Sequence, residues 1–207
     1  MIAAREALER LKEGNRRFVA NQSIVDCGPS RRAALVLGQE PFAVILGCSD
    51  SRVPAEIVFD QGMGDLFIIR VAGNIVAPSQ IGSIEFAATR FRSRLVVVMG
   101  HSGCGAVSAT LDELLGHAAA DSRGLRSIVD RIRPSLTPLV ASSPAGGVES
   151  LMHDAVRANL RAAVEHVRHD SPLLESLIQR DGLLVVGAEY SLESGTVSFF
   201  DDEPVRF

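Results

Sequence analysis

Two short apolar segments of this 207-residue chain are each followed at once by a turn whose side chains are of the kind that bind metals. The first segment, Ala43–Gly47, precedes a turn with a thiol, a carboxylate and a guanidinium, which belong to Cys48, Asp50 and Arg52. The second, Leu95–Met99, precedes a glycine-containing turn with an imidazole and another thiol, which belong to His101 and Cys104. Continuous apolar runs of this length are typical of parallel strands that are covered on both faces. The carboxyl ends of parallel strands meet at one edge of a sheet, so the two turns should lie side by side.

The rest of the chain alternates between apolar runs and helical periodicity. We expect three further strands, at Asp65–Val71, Leu183–Ala188 and Thr196–Phe200, with the last joined by a hairpin. Helical spacing predicts helices at 3–20, Arg32–Leu37, Ile81–Phe91, 105–115, Leu125–Ile132, Val148–Val167 and 172–181, with a break at Ser142–Gly147. The pattern predicts an α/β fold with a mostly parallel central sheet, in which four parallel strands and one antiparallel edge strand are flanked by helices.

Length and composition are those of one globular domain over residues 1–207, with an N-terminal helical arm at 1–38 and an α/β core at 39–207. The arm could pack on a partner subunit. A net charge of −4 argues against a nucleic-acid partner, which would require a basic face. No apolar run approaches the roughly 20 residues that span a bilayer, so we expect no membrane partner and a cytoplasmic location. Three cysteines, an odd number, favour metal binding or catalysis over a disulfide framework.

The two turns together offer three ligands that suit zinc, namely Cys48, His101 and Cys104. Cys27 precedes the first strand without a pairing pattern, so we expect the fourth position to be open, as in catalytic zinc sites. Arg52 can clamp Asp50 in a two-pronged ion pair that holds the carboxylate off the metal. Asp50 could then accept a hydrogen bond from zinc-bound water or hydroxide and orient it.

Each signal has an ordinary structural explanation when it is taken alone. A single His-x-x-Cys is a weak metal signal. A buried cysteine after a strand most often acts as a small apolar residue, and an Asp-x-Arg pair in a turn is usually a local ion pair. The conjunction of all five residues at two matching strand ends favours the metal site.

The run Cys48-Ser49-Asp50-Ser51-Arg52, followed by His101-x-x-Cys104-Gly105, resembles the zinc signature of the β-class carbonic anhydrases. The likeness extends through Phe59–Asn74 and Gly82–Ala87 and covers nearly the whole chain. It implies reversible hydration of CO2 to bicarbonate and a proton, with one Zn²⁺ per chain and attack by zinc-bound hydroxide that the Asp–Arg dyad orients. It further implies a homodimer or a dimer of dimers, and a substrate pocket that comprises Gln39, Phe67, Ala72, Phe86 and Gly105, in which Gln39 reaches the neighbouring subunit's site.

Two departures and two alternatives accompany this resemblance. Ile45 stands where bicarbonate-inhibited members carry tryptophan, so we expect the open form without that regulatory site, although Arg70 and Tyr190 resemble its other members. Ala72 and Phe86 stand near positions where plant-type members carry valine and tyrosine. One alternative function is hydrolysis of a related heterocumulene, COS or CS2, on the same zinc site. The other is a non-catalytic zinc or redox module.

Overall fold

The computed structural model describes residues 2–117, 122–142 and 147–200. Its strands form one five-stranded sheet and comprise β1 (Ala43–Gly47), β2 (Leu66–Arg70), β3 (Leu95–His101), β4 (Leu184–Tyr190) and β5 (Val197–Phe200). The strand order is β2-β1-β3-β4-β5, and β5 alone is antiparallel to its neighbour. The predicted α/β architecture, with four parallel strands and one antiparallel edge strand, is confirmed.

Helices cover both faces of the sheet. Those that the structure describes are α1 (Ala4–Val19), α2 (Pro29–Ala34), α3 (Ala55–Val58), α4 (Pro78–Arg90), α5 (Gly105–Leu114), α6 (Arg123–Ala141), α7 (Gly147–His169) and α8 (Pro172–Arg180). A short 3-10 turn, Ala72–Asn74, follows β2. Helix α8 begins as predicted, because Ser171 accepts a hydrogen bond from the Leu174 amide and Pro172 occupies the first helical position.

Alternate side chains of the central strands belong to two separate apolar cores. Ile45 and Val97 pack with Leu8 and Leu11 of α1 on one face, whereas the other face packs against α4 and α7. This double cover explains why β1 and β3 are buried at every position. The apolar face of α1 is therefore covered by the sheet of its own chain, and no partner subunit is needed to bury it.

Two predicted helix starts were wrong for the same reason. Helix α2 begins at Pro29 rather than Arg32 and ends at Ala34, and α4 begins at Pro78 rather than Ile81. In both helices a proline occupies the first turn, where its missing N–H has no helical acceptor to lose. A proline therefore marks the start of each helix rather than the loop before it.

Helix α6 was predicted at Leu125–Ile132, but it is much longer. It runs from Arg123 to Ala141 and contains Pro134 and Pro138. Prolines inside a helix remove a backbone hydrogen bond and normally end it. Here the buried face of the helix continues past Pro134, and Ile132 and Leu136, which lie on either side of that proline, pack in a third apolar core. The predicted break at Ser142–Gly147 falls mainly on residues 143–146, which lie outside the described residues.

Two strands extend beyond their predicted ends. β3 continues past Met99 to His101, and β4 continues past Ala188 to Tyr190. The two terminal residues, His101 and Tyr190, pair with each other. The pairing places His101 on the strand itself rather than in the following turn. Among the described residues, no helix combines the length and the apolar character that a membrane span needs.

Candidate metal centre

Three buried side chains meet at the carboxyl edge of the sheet, as predicted. Cys48 follows β1, His101 ends β3, and Cys104 precedes α5, and their ligand atoms all lie within 4.8 Å of one another. Gly103 has φ of +63°, a left-handed conformation that suits glycine and brings Cys104 back towards His101. Two sulfurs and one imidazole nitrogen form a donor set that suits zinc.

The His101 imidazole is oriented as a metal ligand would be. Its Nδ1 lies 3.0 Å from the Ser102 carbonyl oxygen and can donate a hydrogen bond to it. Its Nε2 is fully buried and has no hydrogen-bond partner among the described residues. A buried nitrogen with an unused lone pair is costly unless something binds it. The buried Nε2, which no described residue hydrogen-bonds and which lies within 4.8 Å of two thiol sulfurs, therefore fits a bound cation.

The two thiols share their protons unequally. A hydrogen bond with Cys104 lowers the pKa of Cys48, against the effect of burial, and His101 and backbone amides add to the lowering. The same hydrogen bond and burial raise the pKa of Cys104, although the amides of Val107 and Ala106 act in the opposite direction. The metal-free pair thus holds one thiolate readily, and the second proton leaves when a cation replaces it.

Asp50 and Arg52 form the predicted two-pronged ion pair beside the ligands. Arg52 Nε donates to Asp50 Oδ1 at 2.9 Å, and Arg52 Nη2 donates to Oδ2 at 2.7 Å. The Arg52 amide adds a third hydrogen bond to Oδ1 at 3.0 Å. These bonds hold the pKa of the Asp50 carboxyl well below its usual range. Asp50 Oδ2 lies 3.9 Å from His101 Nε2, so an ionised carboxylate borders the ligand cluster.

Two further residues support the Cys48 turn, in roles that the sequence did not predict. Arg70, at the end of β2, donates from Nε to the Cys48 carbonyl at 3.0 Å and from Nη2 to the Asp50 carbonyl at 2.6 Å. The Gly73 amide donates to Cys48 Sγ at 3.4 Å. An arginine at a strand end and a glycine in the next turn were visible signals, but only the packing of β2 beside β1 joins them to this turn.

Four of the five predicted pocket residues divide into two groups. Ala72 begins the turn that contains Gly73, and Gly105 directly follows Cys104, so both adjoin the ligand cluster. Phe67 and Phe86 instead form an aromatic cluster with Phe91, with ring centroids 5.6–6.2 Å apart.

Gln39 lies in the exposed segment before β1, at the opposite end of that strand from Cys48. A strand of this length spans roughly 16 Å. One chain alone therefore does not bring Gln39 to the ligands, and its role in the neighbouring subunit stays a prediction.

Comparison with known proteins agrees with this geometry. Residues 43–197 match the carbonic anhydrase family model. The carbonic anhydrase of Mycolicibacterium smegmatis is 39% identical over 92% of this chain and 90% of its own length, and carbonic anhydrase 2 of Mycobacterium tuberculosis is 38% identical over 91% and 89%. The solved β-carbonic anhydrase CafA of Aspergillus fumigatus superimposes with a TM-score of 0.71 at 26% identity, over 96% of this chain and 91% of that one. The present chain therefore belongs to the carbonic anhydrase family, in its β class.

Proposed function

We propose that this protein is a zinc-dependent enzyme that converts CO2 and water reversibly into bicarbonate and a proton. The observation that carries the proposal is the buried Nε2 of His101, which has no hydrogen-bond partner in the described part of the chain and lies near two thiols and an ionised Asp50. Cys48, His101 and Cys104 would hold the zinc ion. When bound, zinc supplies an activated water molecule, because the cation lowers the pKa of water.

Asp50 would orient the attacking water rather than store its proton. The carboxylate is already ionised, because the hydrogen bonds from Arg52 hold the pKa of Asp50 well below its usual range. It can accept a hydrogen bond, but so weak a base does not keep a proton near neutral pH. A hydrogen bond accepted by Oδ2 would fix the direction in which the water presents its lone pair to CO2.

Arg52 and Arg70 would keep this acceptor in place from two sides. Arg52 occupies both carboxylate oxygens of Asp50, and Arg70 holds the main-chain carbonyls of Cys48 and Asp50. The carboxylate is thereby restrained beside the ligands without joining them. This arrangement supports an open fourth position, in which substrate and water can meet.

A non-catalytic zinc module would need four protein ligands. Within residues 2–117, 122–142 and 147–200 the candidate cluster has three, and Cys27 is exposed and outside it. The Asp50–Arg52 pair would also have no role in such a module. These observations favour the enzyme.

We also propose a homodimer or dimer of dimers in the cytoplasm. Gln39 could reach a ligand cluster only in a neighbouring subunit. Leu37, two residues earlier, is 99% exposed in the single chain, and a neighbouring subunit would cover this apolar side chain. A sedimentation experiment that finds only monomer in the active enzyme would contradict this assembly. The three free thiols suit a reducing compartment.

The test is stopped-flow CO2 hydration at pH 8.5 with chelated, zinc-reconstituted and Asp50→Asn protein. We expect activity only with zinc, and a loss of about 10–100-fold in kcat/KM for Asp50→Asn, which is the usual effect of removing a partner in the shell around a metal site. Asp26→Asn is the matched control, because Asp26 also accepts an amide hydrogen bond in an exposed turn, from Gly28. The proposal fails if protein with one zinc per chain shows no rate above buffer. Faster turnover of COS or CS2 than of CO2 would assign the site to those substrates instead.

A further inference from the structure

A buried asparagine of α7, outside both ligand turns, is linked to Cys48 through one backbone residue. Asn159 is only 5% exposed, and its Nδ2 donates to the Gly73 carbonyl at 3.0 Å. The Gly73 amide in turn donates to Cys48 Sγ at 3.4 Å. We propose that Asn159 is a positioning residue of the metal centre, which fixes Gly73 as the hydrogen-bond donor to the Cys48 sulfur.

Gly73 needs such a restraint because its backbone is intrinsically free. Its φ is +67°, in the left-handed region, and glycine also populates other regions at little cost. Any other residue would be strained at this φ, and its Cβ would lie 2.7 Å from Ile132 Cδ1 and 3.0 Å from Ala106 Cβ, so both neighbours would have to move. Within the turn, the Asn74 amide donates to the Val71 carbonyl at 3.0 Å. The hydrogen bond from Asn159 adds a restraint from outside the turn, on the carbonyl of the residue whose N–H is aimed at Cys48.

The position of Asn159 in α7 points the same way. Its neighbours on that helix face are buried and apolar, namely Val156, Leu160 and Ala163. An amide buried on such a face is unfavourable unless it is hydrogen-bonded, and an apolar side chain would otherwise suit the site. The Gly73 carbonyl is the partner that satisfies the Nδ2 group.

The hydrogen bond to Cys48 changes the sulfur as a ligand. An N–H that donates to a thiolate stabilises its negative charge, so the sulfur competes better against protons but donates less electron density to a bound cation. Loss of Asn159 would let the Gly73 amide move away. The Cys48 sulfur would then become a stronger electron donor in a less well-ordered site.

This inference rests on the proposed zinc site, and its test uses metal binding rather than turnover. Asn159→Leu keeps a side chain of similar size without the N–H donor, and Asn159→Ala removes the side chain. Asn15→Leu is the matched control, because Asn15 is equally buried, at 6% exposed, and its amide donates to Val58 and Gly195 carbonyls away from Gly73. Each protein is loaded with cobalt(II), and its sulfur-to-metal charge-transfer band and its zinc dissociation constant are measured.

We expect both Asn159 variants to shift the charge-transfer band to lower energy and to bind zinc about 10-fold more weakly. Asn15→Leu should lower the unfolding temperature but leave the band and the zinc affinity as in the wild type. If Asn159→Leu does not fold, Asn159→Ala decides the question alone. An unchanged band and affinity in a folded Asn159 variant, or equal changes in Asn15→Leu, would overturn the proposal. A wild-type protein that binds zinc but does not hydrate CO2 would refute the proposed function and leave this inference standing.

Discussion

We expect Arg52→Ala to remove most of the activity without unfolding the protein. The substitution deletes the hydrogen bonds from Nε and Nη2 to Asp50 and leaves the one from the residue 52 amide to Oδ1. Oδ2 is thereby released, and it is the oxygen that lies 3.9 Å from His101 Nε2. The freed carboxylate can turn towards the ligands and occupy the position that water needs. By analogy with other residues that support metal sites, kcat/KM should fall about 10–100-fold.

Stability should change little, because the Arg52 side chain is 57% exposed. The assay is stopped-flow CO2 hydration on zinc-reconstituted protein, with zinc content and unfolding temperature measured on the same samples. Arg16→Ala is the matched control, since Arg16 is 67% exposed and forms an ion pair with Glu13 at 3.8 Å. Arg52→Lys keeps the charge but not the planar fork, so it should recover only part of the loss. Full activity in Arg52→Ala at full zinc occupancy, or full recovery with lysine, would refute the reasoning.

Three further results are expected. Zinc binding to the metal-free protein at pH 7 should release about one proton, because the Cys48–Cys104 pair already holds one thiolate. Calorimetry in buffers of different ionisation enthalpy counts the released protons, and a release of two protons would contradict this state of the pair. The kcat/KM should rise once with pH, through a pKa at or above about 7, because two thiolates offset the charge of zinc. Asp50 adds no second step, because it is already ionised. A rate profile that is flat from pH 6 to 9 would be inconsistent with this. Burial acts to raise the pKa of Asp60, but hydrogen bonds from Ser23, Arg17 and the Ile24 amide outweigh it and lower that pKa. The stabilisation from Asp60 is therefore present above its unfolded pKa of about 3.9 and is lost as pH falls through the lower folded pKa. Asp60→Asn should thus lower the free energy of unfolding by about 1–3 kcal/mol at pH 7 and by less at pH 3, as denaturant titrations measure it; an equal difference at both pH values would exclude the charge as the cause.

The sheet could be predicted from the sequence because its signals are local. The apolar runs of β1 and β3 are uninterrupted, and the parallel order follows from the helices between them. Prolines caused the errors in the helix bounds, since Pro29 and Pro78 start helices and Pro134 lies within α6. A proline's effect depends on whether its missing N–H would have had a partner, and that is decided by the surrounding structure.

The cluster of Cys48, His101 and Cys104 could be predicted for the same reason, since Cys48 follows β1, His101 ends β3 and Cys104 comes three residues later. The residues that support them could not. Asn159 contacts Gly73, which lies 86 positions earlier in the sequence. Within α7 its spacing is the same as that of the apolar residues on the buried helix face, so the pattern does not distinguish it from them. Arg70 contacts the Cys48 turn only because β2 pairs with β1. Such contacts depend on how the elements pack, and the spacing of residues along the chain does not predict them.

X-ray absorption at the zinc edge, on enzyme that is turning over CO2 at pH 8.5, tests the open three-ligand centre most directly. The structure predicts two sulfurs at about 2.3 Å, one imidazole nitrogen at about 2.0–2.1 Å and one light atom from solvent. The Asp50→Asn protein should give the same coordination, because in the proposed mechanism Asp50 orients water without binding the metal. A third sulfur, or a light-atom shell that changes when Asp50 is replaced, would contradict the account.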